Sequence, residues 1–515
     1  MFSIKTSCFE KAMSGGNDMG GTRQAFAKLA SCRYRLAVGR CGLYACRHPA
    51  VRARDGLVTD RTCSGCELRT TVAQPRPFTA NDLLSAYEAA ADLRNAAEAL
   101  RPRNAAQGVA WNATEGVPYR PHRGAGDGRV RVGFVTPNLV LGGAERWIVN
   151  LLRYLDRERV VPAGVALLNA APADARMCAE AAEFAPLFGG PDGTRPHPSP
   201  LPEGEGEKDP HTGPLREGEA DGVIRFESAE AALEALCQRS DVIVAWGSGH
   251  FARLMAARRF SGEVVIVAHG SAPSTARMLD GGKYAAQHLV GVSKAAAAAF
   301  RDSRAVVIHN GADHARCAPT VPRDETRRQW GAAQADLLLG YVGRFSWEKN
   351  PLAAALAARE LGGRFRAVYV GGGAHENEVE AEVCAIAPNS IFVPPVEQIG
   401  DALAALDVFV LASPSEGFSL ALTEAWLCGV PAVATRVGAV PELEELHGQM
   451  VVGVRVGASP GELAVAVRRA LGPEGQAVAE RAKRVAWQHY TAQAMAERWS
   501  EFLVKVGRAM RDEAH

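Results

Sequence analysis

Residues 413–434 read SPSEGFSLALTEAWLCGVPAVA and carry two glutamates, Glu416 and Glu424, eight positions apart. They lie between two apolar runs, LDVFVLAS (406–413) and PAVATRVG (431–438), each with the length and composition of a buried strand. A strand, a polar loop, a helix and a second strand make one repeat of a parallel α/β sheet, whose ligands collect at the carboxyl ends of the strands. Glu416 opens the loop, and the backbone of Gly417, Phe418, Ser419 and Leu420 offers N–H groups at the start of the helix. Glu424 follows about two turns on, on roughly the same face. Glutamates are rarely buried alone, and these are embedded among Leu422, Trp426 and Leu427. The pair is expected to grip a polar, hydroxyl-rich ligand, with Glu424 accepting both hydroxyls of a ribose. A structural cap or ion pair is the competing account of Glu424.

The same alternation extends in both directions. Downstream of residue 337, LLLGYVGR (337–344), RFRAVYVGGG (364–373) and SIFVPP (390–395) belong to the same α/β domain. Its first strand runs into Gly343-Arg344-Phe345-Ser346-Trp347-Glu348-Lys349-Asn350, which brings Arg344 and Lys349 to the sheet edge. Two cations across a short loop suit a diphosphate and neutralise it as it leaves. Solvated side chains are the plainer alternative.

An earlier domain opens at Val130 with VRVGFVTPNLVLGGAERWIVNLLRYL, a strand, a glycine loop and an amphipathic helix. It continues through VVPAGVALLN (160–169), SDVIVAW (240–246), GEVVIVAH (262–269), AQHLVGVS (286–293) and RAVVIHNG (304–311). Gly142 and Gly143 permit close backbone approach, and the helix amino terminus behind them offers N–H groups to an anion or a sugar oxygen. The loop is not GxGxxG, and no acidic residue about twenty positions on closes a dinucleotide site. The expected fold class is α/β: two Rossmann-like α/β/α domains, at 129–320 and 321–485, facing across a cleft.

At 515 residues and 47% apolar content, the chain has room for about three domains. A formal net charge of +1 with mixed signs gives no bulk field for nucleic acid. No run reaches the roughly eighteen apolar residues that cross a bilayer, and residues 1–27, expected to be disordered, lack an apolar signal core. A cytoplasmic location is therefore expected, with peripheral contact at the inner membrane left open. Residues 191–219 interrupt the first domain with seven prolines and almost nothing apolar, the composition of a disordered surface insertion.

Six of the eleven cysteines crowd the first 66 positions. Residues 28–70 have too little apolar content to fold without a crosslink. Cys63-Ser-Gly-Cys66 has the spacing that brings two thiolates to one zinc, and Cys32 and Cys46 complete a structural set, with Cys41 and His48 as alternates. A cysteine-rich tail without metal, or a redox CxxC, are the other readings. Residues 71–128 hold an alanine-rich helix from Thr79 or Asn81 to about Leu100, then a Pro/Gly/Arg-rich linker.

Taken in order, GGAERW, GVSKA, IHNGAD, GRFSWEKNP, VGGG, DVFVLASPSEGFSLALTEAWLCGVPAVAT and GAVPEL resemble the retaining glycosyltransferases of family 4, which have the two-domain GT-B architecture. The resemblance spans about residues 129–500 and leaves out the cysteine-rich extension. It implies an enzyme that moves a sugar from a nucleoside-diphosphate donor, UDP- or GDP-linked, to a hydroxyl of a sugar, glycan or lipid-linked acceptor, in polysaccharide, lipopolysaccharide or other glycoconjugate synthesis. Carried over residue by residue, Arg344 and Lys349 grip the diphosphate, Glu416 approaches the transferred sugar, and Glu424 binds the ribose. Gly142 and Gly143 lie near the phosphates and acceptor, and His269, in VIVAHGS, meets the donor sugar. The departing phosphate helps deprotonate the acceptor on the same face. That account needs no catalytic metal, and the chain has no Asp-x-Asp pair to hold one.

Two segments depart from the family pattern. Glu442-Leu443-Glu444-Glu445-Leu446-His447-Gly448-Gln449 stands where an acid-glycine turn is usual, and HGSAPSTARML matches the histidine region imperfectly. The last segment, WQHYTAQAMAERWSEFLVKVG, reads as one amphipathic helix at 486–505, with Trp487, Tyr490, Met495, Trp499 and Phe502 at core-like spacing. In that fold it crosses back to the first domain. A nucleotide-sugar epimerase of the same fold, or a non-catalytic glycan- or nucleotide-binding module, are the rival functions. For the extension, the zinc reading predicts stoichiometric zinc in purified full-length protein and none after removal of residues 1–70; elemental analysis showing no zinc in the full chain overturns it.

Overall fold

The computed structural model describes residues 35–37, 43–46, 57–59, 128–137, 139–140, 142–168, 173–189, 223–225, 228–246, 260–279, 286–373 and 375–512. Cys32, Cys63 and Cys66, the insertion 191–219 and the helix expected from Thr79 lie outside these residues. The chain divides into two compact units, Met1–Ala110 and Trp111–His515. In the first, β1 (Arg35–Ala37), β2 (Leu43–Cys46) and β3 (Leu57–Thr59) form an antiparallel sheet in the order β1-β2-β3. Cys46 is the last residue of β2.

The second unit contains two lobes, each built on a wholly parallel sheet. In the first lobe, β4 (Val130–Thr136), β5 (Val160–Leu167), β6 (Leu187–Gly189), β7 (Val223–Arg225), β8 (Val242–Trp246), β9 (Glu263–Ala268), β10 (His288–Gly291) and β11 (Val306–Val307) lie in the order β11-β10-β9-β8-β4-β5-β6-β7. In the second, β12 (Leu337–Arg344), β13 (Phe365–Gly372), β14 (Ile391–Val393), β15 (Val408–Leu411), β16 (Ala432–Thr435) and β17 (Val452–Val454) lie in the order β14-β13-β12-β15-β16-β17. Helices cover the sheets, so the central strands read as nearly unbroken apolar runs rather than alternating ones. Phe134, Val244, Ile266, Val410 and Val433 are all buried.

Both sheets reverse their direction of growth at their first strand. β4 lies between β5 and β8, and β12 between β13 and β15. At such switch points neighbouring loops diverge and leave a crevice at the carboxyl ends. The loop at Gly142 follows β4, and the loop of Arg344 and Lys349 follows β12.

The chain passes between the lobes at residues 309–313 and again at 490–492. The two crossings are tied together. Ala312 N donates to Tyr490 O at 3.0 Å, and Ala492 N donates to Ala312 O at 2.7 Å, making a parallel bridge between Ala312 and Thr491. The helix expected as one piece over 486–505 is therefore broken. Pro473–His489 packs on the second lobe, with Trp487 Nε1 donating to Leu427 O, while Ala492–Asp512 packs on the first. Tyr490 leaves the helical conformation, and the Thr491 hydroxyl accepts from Ala494 N to start the next helix. Trp499 then meets Trp147 edge-on at 5.4 Å, both rings wholly buried.

Gly311 makes the crossing possible. A Cβ there would stand 2.0 Å from Thr491 O, a backbone atom that has nowhere to go. Gly311→Ala is expected to destabilise the protein by at least about 2 kcal/mol through overpacking, measured as a lowered denaturation midpoint. An unchanged midpoint would show that the crossings are loosely joined.

Candidate functional site

The two lobes touch at the carboxyl ends of β9 and β15. Ser271 Oγ donates to Glu416 O at 2.6 Å and lies 3.2 Å from Ser415 Oγ. Gly417 packs so closely on His269 that a Cβ would stand 2.1 Å from the His269 carbonyl oxygen. The loop 413–419 is thereby seated against the first lobe by backbone contact.

Glu416 is buried, and its two oxygens differ. Oε2 accepts from Lys349 Nζ at 2.7 Å, whereas Oε1 is enclosed with no hydrogen-bond partner among the described residues. Lys349 ends a short 3-10 turn, Trp347–Lys349, held open by Asn350 in the left-handed conformation. Arg344, the last residue of β12, is about half exposed and pairs with Glu348 at 3.3 Å. The two loop cations thus share one edge, and each is matched by a carboxylate.

Glu424 lies in the helix Leu420–Cys428, capped by the Ser419 hydroxyl, which accepts from Leu422 N at 3.3 Å. It is 8% exposed. Its nearest cation is Arg316, at 3.6 Å between Nη1 and Oε1, and no hydrogen bond from a described residue reaches either oxygen. Burial pushes its carboxyl above the usual range, with Arg316 and then Arg146 pulling it back. Of the other loop residues, Phe418 and Leu420 are buried. The Phe418 ring lies 5.9 Å from His309 and 5.8 Å from Tyr490 at the lobe crossings, so only its backbone remains for a ligand.

Gly142 precedes the helix Gly143–Tyr154. The carboxylate of Glu145 folds back over Gly142, where a Cβ would stand 2.3 Å from Oε2, so the space left by the missing side chain is filled by an internal anion. Burial raises the Glu145 carboxyl, opposed by its own backbone N–H and by the charge of Arg344 across the cleft. Beyond it, Arg146 pairs with Glu180 and feels the charges of Arg316 and Glu424. Space beside Gly143 is open.

His269 follows β9. The residue is partly buried, yet its Nε2 is fully enclosed with no hydrogen-bond partner among the described residues, and Trp147 and Trp246 present their rings edge-on at 4.7 and 5.5 Å. Burial pushes its pKa down to about 3. The imidazole is neutral near pH 7.

Several polar residues at the lobe junction carry no role in the sequence reading. Glu442 is buried, and both its oxygens reach the first lobe, Oε2 accepting from Lys294 N at 2.6 Å and Oε1 lying 2.5 Å from His309 Nε2. Asp313 accepts from Tyr154 OH at 2.7 Å and lies 3.7 Å from Arg153. Glu145 and Arg146 stand in GGAERW beside the glycines expected to meet the ligand, and Asp313 stands in IHNGAD, a segment to which the sequence assigns no chemistry. A charge amid apolar helix positions was the available signal. Among the described residues no cluster of side chains suits a metal ion, and no helix is long and apolar enough to cross a membrane.

Comparison with known proteins bears on this geometry. Residues 336–472, most of the second lobe, match the family described as Glycosyl transferases group 1. Alr3699/HepE of Anabaena, solved in complex with UDP-glucose, superposes with a TM-score of 0.57 at 20% identity, covering 73% of this chain and 100% of that one. Sucrose-phosphate synthase of Thermosynechococcus elongatus gives 0.51 at 17% identity, covering 74% of this chain and 100% of that one. The fold is GT-B.

Curated relatives match over less of their length. A D-inositol 3-phosphate glycosyltransferase of Mycolicibacterium smegmatis is 29% identical over 198 residues, 36% of this chain and 45% of that protein. The lipopolysaccharide core biosynthesis mannosyltransferase LpsB of Rhizobium meliloti is 34% identical over 156 residues, 28% of this chain and 44% of that protein. The chain thus spans less than half the length of these relatives. In GT-B terms, Glu416, Glu424, Arg344 and Lys349 stand on the second lobe, and Gly142, Gly143, Glu145 and His269 on the first.

With its pKa held near 3, His269 is expected to show imidazole carbon shifts that stay constant between about pH 5 and pH 8 in an NMR titration. A midpoint within that window would contradict the enclosure of its Nε2.

Proposed function

We propose that this protein is a retaining glycosyltransferase of family 4 that moves a sugar from a nucleoside-diphosphate donor to an acceptor hydroxyl. One observation carries the reading. Glu416 and Glu424 are buried carboxylates facing the junction of the lobes, the first with one enclosed oxygen that no described donor fills and the second held by an ion pair at 3.6 Å. An enclosed carboxylate oxygen left without a donor costs about 1–3 kcal/mol. A nucleotide sugar brings hydroxyl groups to both.

In this reading the ribose hydroxyls donate to Glu424, and a hydroxyl of the transferred sugar donates to the open Oε1 of Glu416. Arg344 and Lys349 hold the diphosphate. As the bond from the anomeric carbon to the phosphate oxygen breaks, the two cations stabilise the charge that gathers on the leaving group. The acceptor oxygen bonds to the same face of that carbon, and its proton passes to a phosphate oxygen, which keeps the anomeric configuration. His269, neutral and without a partner at Nε2, positions the donor sugar by hydrogen bonding rather than by charge.

The match of the second lobe to Glycosyl transferases group 1 supports a sugar-nucleotide donor. Alr3699/HepE, which binds UDP-glucose, makes uridine donors the first to test. The named relatives act on an inositol phosphate and on lipopolysaccharide core, which favours a polyol or glycan acceptor in envelope glycoconjugate synthesis at the cytoplasmic face of the membrane.

Purified protein given UDP-, GDP- and ADP-sugars with candidate acceptors is expected to release nucleoside diphosphate. Glu424→Ala is expected to weaken donor binding about a hundredfold, the loss of two hydrogen bonds to a charged group. A wild-type protein that binds no donor, or a Glu424→Ala variant that binds it unchanged, removes the basis of the assignment.

A further inference from the structure

Arg316 lies just after the first crossing between the lobes, and its placement is over-determined. It lies in the turn His314–Cys317, which starts at Asp313, whose carboxylate accepts from Ala315 N. Cys428 Sγ donates to the Cys317 carbonyl at 3.3 Å. The same carbonyl presses on Gly400, where a Cβ would stand 2.4 Å away. The guanidinium is then aimed by its own Nε, which donates to Glu397 O at 3.0 Å and leaves Nη1 pointing to Glu424. Both side chains are mostly enclosed, at 16% and 11% exposure. Other charged groups face Glu424 from further away: Asp313 on the same crossing, and Arg146 on the first-lobe helix, already paired with Glu180. The thiols of Cys317 and Cys428 lie beside it.

We propose that Arg316 is a positioning residue for the donor: it keeps Glu424 ionised and oriented so that the carboxylate accepts both hydroxyls of the donor's ribose. The inference rests on the reading of Glu424 as the ribose acceptor. A buried carboxyl without a cation takes up a proton, and a protonated carboxyl offers a donor where the diol needs an acceptor. At 3.6 Å the guanidinium supplies charge without occupying an oxygen at hydrogen-bond distance. It stabilises the anion and leaves its lone pairs for the ligand. A purely structural role, holding the crossing to Glu397, would affect all nucleotides alike.

The test measures binding of UDP and 2′,3′-dideoxy-UDP by calorimetry, or of the corresponding GDP pair where UDP is not bound, from about pH 5.5 to pH 8.5. Wild-type protein is expected to favour the ribose form by about a hundredfold. In Arg316→Gln that preference should fall about tenfold at the acid end, recover in part as pH rises and Glu424 ionises, and leave the dideoxy affinity within about twofold of wild type. Arg316→Lys, which keeps the charge, should restore most of it. If Arg316→Gln fails to fold, Arg316→His serves, with a preference that holds close to wild type at the acid end, where its imidazole is charged, in contrast to a neutral residue there. A variant that discriminates as the wild type does, with the same pH profile, overturns the role of Arg316. Equal loss of affinity for both nucleotides overturns it too. A wild-type protein that binds neither nucleotide, or does not distinguish the pair, removes the Glu424 reading and this inference with it.

Discussion

The cleft depends on one short backbone contact. Two crossings join the lobes, and Ala312 and Thr491 pair across them, so the lobes meet through a two-stranded joint rather than two separate tethers. The fit is close enough that Gly311 has no room for a methyl group. Around the joint lie His309, Phe418 and Tyr490, with ring centres 5.7 to 5.9 Å apart. Glu442 bridges from the second lobe to His309 and to the amino terminus of the helix Lys294–Ala298. With the joint set, the loop 413–419 meets His269 and Ser271, and Glu424 meets Arg316, at fixed separations.

The charges at the junction follow a shared pattern. Glu416 has one oxygen satisfied and one not, Glu424 has an ion pair and no hydrogen bond, and Glu145 turns back on its own helix terminus. Each is buried, and Glu416 keeps one enclosed oxygen without a donor among the described residues, which opposes folding locally and is offset by the large apolar cores on either side. Such incompletely satisfied groups concentrate where a ligand completes the set. Arg327 is the opposite case, a buried charge met on several sides. Arg327 donates to Ala405 O and Asp336 O and pairs with Asp407, which also accepts from Leu338 N.

Much of the architecture was legible because parallel strands buried on both faces write themselves as apolar runs. LLLGYVGR and LDVFVLAS read as strands and are β12 and β15, with their polar ends where the loops begin. β6, β7 and β17 are not among the strands legible in the sequence. Each is three residues long, but length alone does not hide a strand, since β14 and β11 are no longer and lie within SIFVPP and RAVVIHNG. The break at Tyr490 was hidden as well, because its apolar spacing continues smoothly through the junction while a backbone pairing 180 residues away in sequence interrupts the helix. Glu416, Arg344 and Lys349 could be picked out by their place after a strand. Arg316 and Glu442 could not, since their partners, Glu424 and His309, are more than a hundred positions distant and nothing local marks the encounter.

The pairing of each loop cation with an internal carboxylate changes what arrival of an anion means. Lys349 is held by Glu416, and Arg344 by Glu348 with Glu145 in its field. An incoming phosphate therefore does not neutralise bare cations. On the proposed reading it competes with carboxylates that stay tethered beside it, so the negative charge it adds remains in the cleft, shared among the two cations, those carboxylates and mobile counterions. Added salt screens the old pair and the new one alike. On that reading the cleft binds an anion by rearranging pairs that it already holds, which gives shape and hydrogen-bond geometry a larger share in its choice of anion.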